Sequence, residues 1–196
     1  LSVVPTQKDC EKELYVGHQE LGLKGIKLLP MYAGFMPDDS MLDSLWSYAD
    51  EHALPVLLHT GTTFVSQAPL ACTLPRHLDQ VAIRYPEVKI ILAHLAHPYE
   101  AECVAVIRKH PNVYADISAL HYGPFQLYHT LMPVHAYGVR DKVLFGTDYP
   151  FTTVNESIAG LRHLNRMLDG TALPRLDENK IEGMISRETL SILGLE

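Results

Sequence analysis

The chain has 196 residues, of which 47% are hydrophobic and 20% are charged, a composition typical of a globular domain with a sizeable core. Its formal net charge of −7 argues against a nucleic-acid-binding protein and against attraction to an anionic membrane, because both need a basic surface. Cys10, Cys72 and Cys103 are too few and too scattered for a disulfide framework or a cysteine-rich zinc site, so we expect a cytoplasmic protein.

The beginning of the sequence is typical of a strand that is already in progress. The first residue is Leu1 rather than Met, and residues 1–4 are apolar up to Pro5. This pattern predicts that further residues precede the sequence. No signal peptide is visible, and the longest apolar runs, such as residues 90–93, are far too short to span a bilayer.

Helical and strand patterns alternate along the chain. The predicted helices cover residues 9–21, the stretch after the capping sequence at 38–40, 76–85, 100–109, 125–137 with an interruption at Pro133, 154–168 and 179–193. The predicted strands cover residues 25–29, 56–59, 88–93, 112–117 and 142–145. Successive strands start 24 to 32 residues apart, close to the roughly 30 residues of a βαβ unit.

This alternation predicts an α/β fold, with a parallel sheet covered by helices, in a single domain over residues 1–196. Five strands and the remnant at residues 1–4 make about six, whereas a (β/α)₈ TIM barrel needs eight strands and about 250 residues. The alternatives are an incomplete barrel and a complete doubly wound sheet. The doubly wound sheet normally carries a glycine-rich phosphate loop after its first strand, and the sequence contains neither G-x-G-x-x-G nor a Walker motif.

Three predicted strands end at a side chain that can bind a metal or transfer a proton. These residues are His59, His94 and Asp148. Because the carboxyl ends of parallel strands meet at one edge of a sheet, we expect the three to share a site. Neutral imidazole suits zinc, iron, nickel or manganese, and a carboxylate can bind the metal and accept a proton from water. The structural alternatives are turn-capping or core-edge histidines and an aspartate that caps a helix.

Other polar residues near the strand ends are weaker candidates. Asp116 can hydrogen-bond a ligand histidine and orient it, although a structural aspartate in a turn is an equal alternative. His97 is expected at the surface or in a loop, with a substrate contact as the lesser alternative, because Pro98 disfavours a helical His-x-x-His pair. The sequence contains neither G-x-S-x-G nor H-E-x-x-H.

In combination, five segments resemble the amidohydrolase-related family of metal-dependent TIM-barrel enzymes, which includes aminocarboxymuconate-semialdehyde decarboxylase. The resembling segments are Glu-Leu-Gly-Leu-Lys-Gly-Ile-Lys-Leu-Leu-Pro at 20–30, Leu-Pro-Val-Leu-Leu-His-Thr-Gly at 54–61, Val-Lys-Ile-Ile-Leu-Ala-His-Leu at 88–95, His-Pro-Asn-Val-Tyr-Ala-Asp-Ile-Ser at 110–118 and Val-Leu-Phe-Gly-Thr-Asp-Tyr-Pro-Phe at 143–151. They run through most of the chain.

The resemblance implies that the five strands are the fourth to the eighth of a (β/α)₈ barrel, and that residues 1–4 end the third. It also implies one divalent metal ion, with zinc expected and manganese, iron or nickel as alternatives. His59 would bind this ion, and His94 would be a ligand or the proton-transfer residue. Asp148 would bind the ion and, in a hydrolase, activate the water.

The sequence departs from the family pattern in two places. In the family, the first strand supplies a His-x-His or Glu-x-His ligand pair, and these residues contain no such pair. Half of the expected metal site is therefore missing from the sequence. In addition, Ala96 stands where many relatives have glycine after the His-Leu of the sixth strand.

Three functions remain open after the sequence has been read. The first is a metal-dependent hydrolase that acts on a C–N or C–O bond through a metal-activated water. The second is a non-oxidative decarboxylase of an aromatic or unsaturated acid, and the third is an inactive fragment or binding protein without the first-strand ligands. We expect a small-molecule substrate, with carboxylic acids as a candidate class, and a homodimer. The predicted substrate-contacting residues are Thr62, Tyr32 and Tyr149, with Phe64 and Tyr122 as further candidate pocket walls.

Overall fold

A computed structural model describes residues 1–121 and 123–196; Tyr122, a predicted pocket residue, lies outside the described residues. Five parallel strands form one sheet: β1 (Ile26–Leu28), β2 (Val56–Leu58), β3 (Ile90–Leu92), β4 (Val113–Asp116) and β5 (Val143–Leu144). Each strand pairs with its neighbour in sequence, in the order β1-β2-β3-β4-β5. This order, without the reversal of a doubly wound sheet, is that of a TIM barrel. The fold is therefore α/β and forms part of a barrel.

The residues before Pro5 pair with the first strand, as their apolar pattern predicts. Ser2 forms a parallel bridge with Lys27, and the backbone N–H of Lys27 donates to the carbonyl oxygen of Leu1 at 2.6 Å. The remnant thus lies beside β1 in the direction of the other strands.

Helices connect the strands and cover the outer face of the sheet. Their bounds are α1 (Cys10–Tyr15), α2 (Pro30–Ala33), α3 (Asp43–Glu51), α4 (Arg76–Arg84), α5 (Glu100–Lys109), α6 (Pro124–Ala136), α7 (Val154–His163), α8 (Glu178–Ile185) and α9 (Thr189–Leu193). In the part of the chain that the structure describes, no helix is long and apolar enough to cross a membrane.

Two of the helix predictions were wrong in detail. Pro133 lies inside α6 without interrupting it, because the lost N–H removes one hydrogen bond of the helix while the Pro133 carbonyl still accepts from Tyr137 N–H at 2.9 Å. The single helix predicted over 179–193 is divided into α8 and α9. Between them, the Arg187 guanidinium donates to the carbonyls of Arg140 and Asp141, which ties the break to the turn before β5.

The two faces of the sheet are buried in different ways. Side chains in one row of the parallel register, Ile26, Val56, Ile90 and Val113, are at most 2% exposed and pack against the helices. The alternate residues point to the concave inner face. There, a small cluster joins Ile91 and Leu144 of the sheet to Leu193 of α9. The carboxyl ends of the strands emerge at one edge between these faces.

Candidate active site

The carboxyl ends of the strands bring His59, His94 and Asp148 to the wall of one cavity of about 460 Å³. His59 directly follows β2, His94 lies two residues after β3, and Asp148 lies four residues after β5. Residues so distant in sequence meet because adjacent parallel strands end at the same edge. The fold therefore brings together the three residues that the sequence predicts to share a site.

His59 is held as a neutral imidazole. Its Nε2–H donates to the carbonyl oxygen of Thr62 at 3.0 Å, which leaves Nδ1 with the lone pair. Burial is the largest influence on the pKa of His59 and lowers it to about 4. The smaller influences partly cancel: the Thr62 carbonyl and the Asp148 carboxylate raise this pKa, whereas the charges of His94 and Lys27 lower it. A neutral imidazole is the form that binds a metal ion.

His94 occupies a strained backbone position. Its φ is +60°, and the next two residues, Leu95 and Ala96, also have positive φ values of +46° and +53°. Three consecutive non-glycine residues in the left-handed region are unfavourable and persist only where the surroundings hold them. The turn aims the His94 ring at His59, and the two ring centroids are 5.0 Å apart.

Ser118 selects the tautomer of His94. The Nδ1 atom of His94 lies 3.1 Å from the Ser118 carbonyl oxygen and 2.8 Å from its Oγ. Because the Ser118 hydroxyl donates to Asp116, its Oγ accepts from the imidazole, so His94 carries its proton on Nδ1. The lone pair of His94 is then on Nε2, where it is free for a metal ion or a substrate proton.

Asp116 organises this histidine through the backbone and through Ser118. Its Oδ1 accepts from the backbone N–H of His94 at 3.0 Å and from that of Ser118 at 2.9 Å. The predicted contact between Asp116 and a site histidine thus involves the histidine backbone, while the imidazole is reached through the serine. Sequence reasoning overlooked Ser118, although the Asp-x-Ser spacing at a strand end signals such a turn.

Asp148 also has a left-handed backbone, with φ of +62°. It lines both the 460 Å³ cavity and an adjoining cavity of about 480 Å³, whose wall includes Lys27, His94 and Asp116. Burial lowers the pKa of Lys27, and the carboxylates of Asp116 and Asp148 oppose this shift. Asp148 therefore shares one cavity wall with His59 and His94 and the other with Lys27.

The side chains of His59, His94 and Asp148, the donor set, are of the chemical type that binds a divalent metal ion, and their geometry partly fits one. Two imidazoles bound to one tetrahedral ion at about 2.0 Å have ring centroids about 5 Å apart, which is the separation of His59 and His94. Among the described residues, however, no three histidine, cysteine, aspartate or glutamate side chains form a group that could hold a metal. His59, His94 and Asp148 are thus available donors that share a cavity without forming a closed cluster.

The predicted substrate-contacting residues divide into two groups. Thr62 and Tyr32 line the 460 Å³ cavity, and the Tyr32 hydroxyl lies 2.9 Å from Thr63 Oγ1. Phe64 stands at the mouth of the cavity, 95% exposed. Tyr149 is 77% exposed and absent from the cavity wall, although it follows Asp148 directly. Its contact with a substrate stays a prediction that this geometry does not favour.

His97 contributes more to the site than its sequence context indicates. His97 lies in the turn that follows residues 93–96, which agrees with the expected loop position, and it also lines the same cavity as His59 and His94. Its Nδ1 donates to the carboxylate of Glu100, a residue that is only 3% exposed. The i, i+3 spacing of His97 and Glu100 across Pro98 is the sequence signal that could have revealed this pair.

Comparison with solved structures agrees with this architecture. An uncharacterised TIM-barrel protein of Bordetella bronchiseptica superposes with a TM-score of 0.72 at 22% identity, over 99% of this chain and 65% of that protein. The 5-carboxyvanillate decarboxylase LigW of Sphingomonas paucimobilis gives 0.65 at 13% identity, over 100% and 66%. Dihydroorotase of Campylobacter jejuni gives 0.61 at 16% identity, over 100% and 64%. The chain thus spans slightly less than two thirds of these proteins.

Comparison of sequences identifies the family. Protein fluG of Emericella nidulans is 36% identical over 63 residues, which are 32% of this chain and 7% of that protein. The model of the amidohydrolase family matches residues 2–181, and this range includes every strand of the sheet and all three residues His59, His94 and Asp148. The chain therefore belongs to the amidohydrolase family.

Proposed function

We propose that the protein is a metal-dependent hydrolase that cleaves a C–N or C–O bond of a small molecule. The observation that supports this proposal is the meeting of His59, His94 and Asp148 on one cavity wall at the carboxyl ends of β2, β3 and β5. The activity is proposed for the whole protein, to which these residues contribute part of the site.

His59 and Asp148 would hold a divalent ion, with zinc expected and manganese, iron or nickel as alternatives. When bound, such an ion polarises a carbonyl group and lowers the pKa of water to about 7. Asp148 accepts the proton that the attacking water loses. The Nδ1–H of His94 donates to Ser118, which leaves Nε2 facing the site, and there His94 can take up a proton and return it to the leaving group.

Metal content tests this assignment most directly. We expect the purified protein to bind zinc, and expect His59→Ala and Asp148→Asn each to lower both bound zinc and hydrolysis by about tenfold or more. His110→Ala is the matched control, because His110 also pairs with a carboxylate, Asp79, but lies outside both cavities. Wild-type zinc content and activity in both site variants would rule out the assignment.

A non-oxidative decarboxylase, as in the aminocarboxymuconate-semialdehyde decarboxylase group, is the second candidate. The observation that favours it is the aromatic wall of the cavity, formed by Tyr32, Phe64 and Phe151, which suits a flat aromatic acid. In this reaction, His94 would deliver the proton that replaces the carboxylate. Release of carbon dioxide from a panel of aromatic and unsaturated acids, without hydrolysis of amides or esters, would favour this candidate over the hydrolase.

A catalytically silent binding protein is the remaining alternative, and it predicts a protein without bound metal and without turnover in either assay.

We further propose a cytoplasmic homodimer. Light scattering of the purified protein would test the dimer, and a mass equal to that of a single polypeptide would show a monomer instead.

A further inference from the structure

We propose that His97 forms a binding subsite for an oxygen substituent of the substrate, a carboxylate or a hydroxyl group, on the wall of the 460 Å³ cavity. The inference rests on the proposed function, because it takes the occupant of this cavity to be a small organic molecule. Glu100 acts as a positioning residue that orients the imidazole. Neither residue belongs to the donor set of His59, His94 and Asp148.

The backbone of His97 is fixed relative to the other cavity histidines. Its N–H donates to the His94 carbonyl oxygen at 2.9 Å, and its own carbonyl oxygen accepts from Thr62 N–H at 2.8 Å. Thr62 in turn accepts the hydrogen bond of the His59 imidazole. A Cβ atom on Gly61 would lie 2.1 Å from the His97 carbonyl oxygen, so the two loops are in close contact. These contacts hold His97 in one place on the cavity wall.

A buried carboxylate fixes the direction of the His97 ring. Glu100 accepts from His97 Nδ1 and, at 3.0 Å, from the Thr130 hydroxyl of α6. Burial raises the pKa of Glu100, but hydrogen bonds from His97, from its own backbone N–H and from Thr130 outweigh this effect and lower the pKa overall. Its position in the first turn of α5 also favours the charge. An imidazole held in this way loses little conformational entropy when its other nitrogen binds a ligand.

Within the described part of the chain, the other nitrogen of His97 has one weak hydrogen-bond partner. The terminal amide of Gln126 lies 3.3 Å from His97 Nε2, and Gln126 is exposed. This amide can present either oxygen or nitrogen, so it suits both protonation states of the ring. A ligand oxygen can replace it, as a hydroxyl group that donates to a neutral imidazole or as a carboxylate that accepts from an imidazolium.

A purely structural ion pair at the start of α5 is the competing explanation, and the chain offers a matched histidine–carboxylate pair outside both cavities. At the other end of α5, His110 Nε2 lies 2.7 Å from Asp79, and His110 lines neither cavity. Replacement of either histidine by phenylalanine removes one histidine–carboxylate contact. Only replacement of His97 also changes the cavity wall.

Binding of three probes that differ in one substituent tests the subsite. Benzoate, benzyl alcohol and toluene are titrated into the purified full-length protein, with and without added zinc, and followed by NMR line broadening. We expect the wild type to bind benzoate or benzyl alcohol about tenfold more tightly than toluene. His97→Phe should abolish this preference and leave toluene binding within about twofold, whereas His110→Phe should preserve it. Comparison of benzoate with benzyl alcohol then identifies the substituent.

Three results would overturn the subsite: no preference in the wild type, a preference retained in His97→Phe, or a preference lost equally in His110→Phe. If His97→Phe does not fold, Glu100→Gln decides the matter, because it keeps the side-chain volume and should weaken the preference. His97→Phe should also retain the zinc content of the wild type. Failure of the proposed function would give a different result. If the wild type binds no zinc but still prefers the oxygen-bearing probes, and His97→Phe loses that preference, the hydrolase proposal fails and the subsite stands.

Discussion

At the scale of single residues, hydrogen bonds decide which ring nitrogen of His59 and of His94 donates a proton. His59 donates from Nε2 to Thr62, whereas His94 donates from Nδ1 to Ser118. The two rings therefore keep lone pairs on opposite nitrogens while their centroids lie 5.0 Å apart. Both lone pairs are needed if the two rings are to share one ion.

The low pKa of His59 predicts that stability depends on pH. In the metal-free protein, folded His59 stays neutral down to about pH 4, whereas the unfolded chain takes up its proton near pH 6.5. The unfolded state thus binds more protons in this window, so stability is lost as the pH falls from 6.5 to 4. With a discount for partial exposure, the wild type should lose about 2 kcal/mol more than His59→Gln. Urea unfolding of chelated protein measures the difference, and equal losses would contradict it.

Gly61 should tolerate no side chain. Its φ is +87°, and a Cβ atom would lie 2.1 Å from the His97 carbonyl oxygen. Gly22 is the matched control, with φ of +66° and no atom within 4 Å of a built Cβ. We expect Gly61→Ala to destabilise the protein by about 3 kcal/mol or more, and Gly22→Ala by only about 1 kcal/mol, because it adds backbone strain alone. Similar chemical-denaturation midpoints for the two variants would argue against the contact.

At the scale of elements, the turns after the strands determine where the functional side chains point. The strands are short, from two residues in β5 to four in β4. β2, β3 and β5 end before His59, His94 and Asp148, and β4 ends at Asp116. The left-handed turn at Ala93–Ala96 and the positive φ of Asp148 then redirect the chain. Ala96 lacks the conformational freedom of a glycine, and it is fully buried in this turn.

The start of α7 stabilises the loop that carries Asp148. Thr153 Oγ1 accepts from the backbone N–H of Glu156, and the Glu156 carboxylate accepts from Thr153 N–H at 2.8 Å, which forms a capping box. Thr153→Ala should lower the free energy of unfolding by about 1 kcal/mol, whereas Thr153→Ser should restore most of it. Thermal unfolding of the three proteins tests this, and an unchanged alanine variant would show that the cap contributes nothing.

At the scale of the whole molecule, the sheet separates two packed regions. The outer face joins the helices in one large core, while on the inner face α9 packs over Ile91 and Leu144. This second packing explains why the predicted helix over 179–193 is divided, because the chain must turn at 186–188 to bring Leu193 onto the sheet.

The packing of α9 predicts that alanine substitutions at two leucines of this helix lower the free energy of unfolding by different amounts. Leu193 is 9% exposed against the inner face, whereas Leu190 is 59% exposed. Leu193→Ala should destabilise the protein by about 2 kcal/mol, and Leu190→Ala by less than about 0.5 kcal/mol. Equal and small effects in denaturant titrations would show that α9 does not pack on the sheet in solution.

The sequence by itself determined the α/β class, the spacing of the parallel strands and the three strand-end residues His59, His94 and Asp148. It could do so because continuous apolar runs and strand-end polar residues are local patterns. The missing phosphate-loop motif and the family resemblance favoured a partial barrel over a doubly wound sheet, but only the tertiary structure supplied the strand order that confirms it, since strand order is not encoded in any one segment. Likewise, only the structure showed that Ser118 sets the tautomer of His94 and that Glu100 turns His97 toward the cavity, because these contacts join residues from different loops and helices.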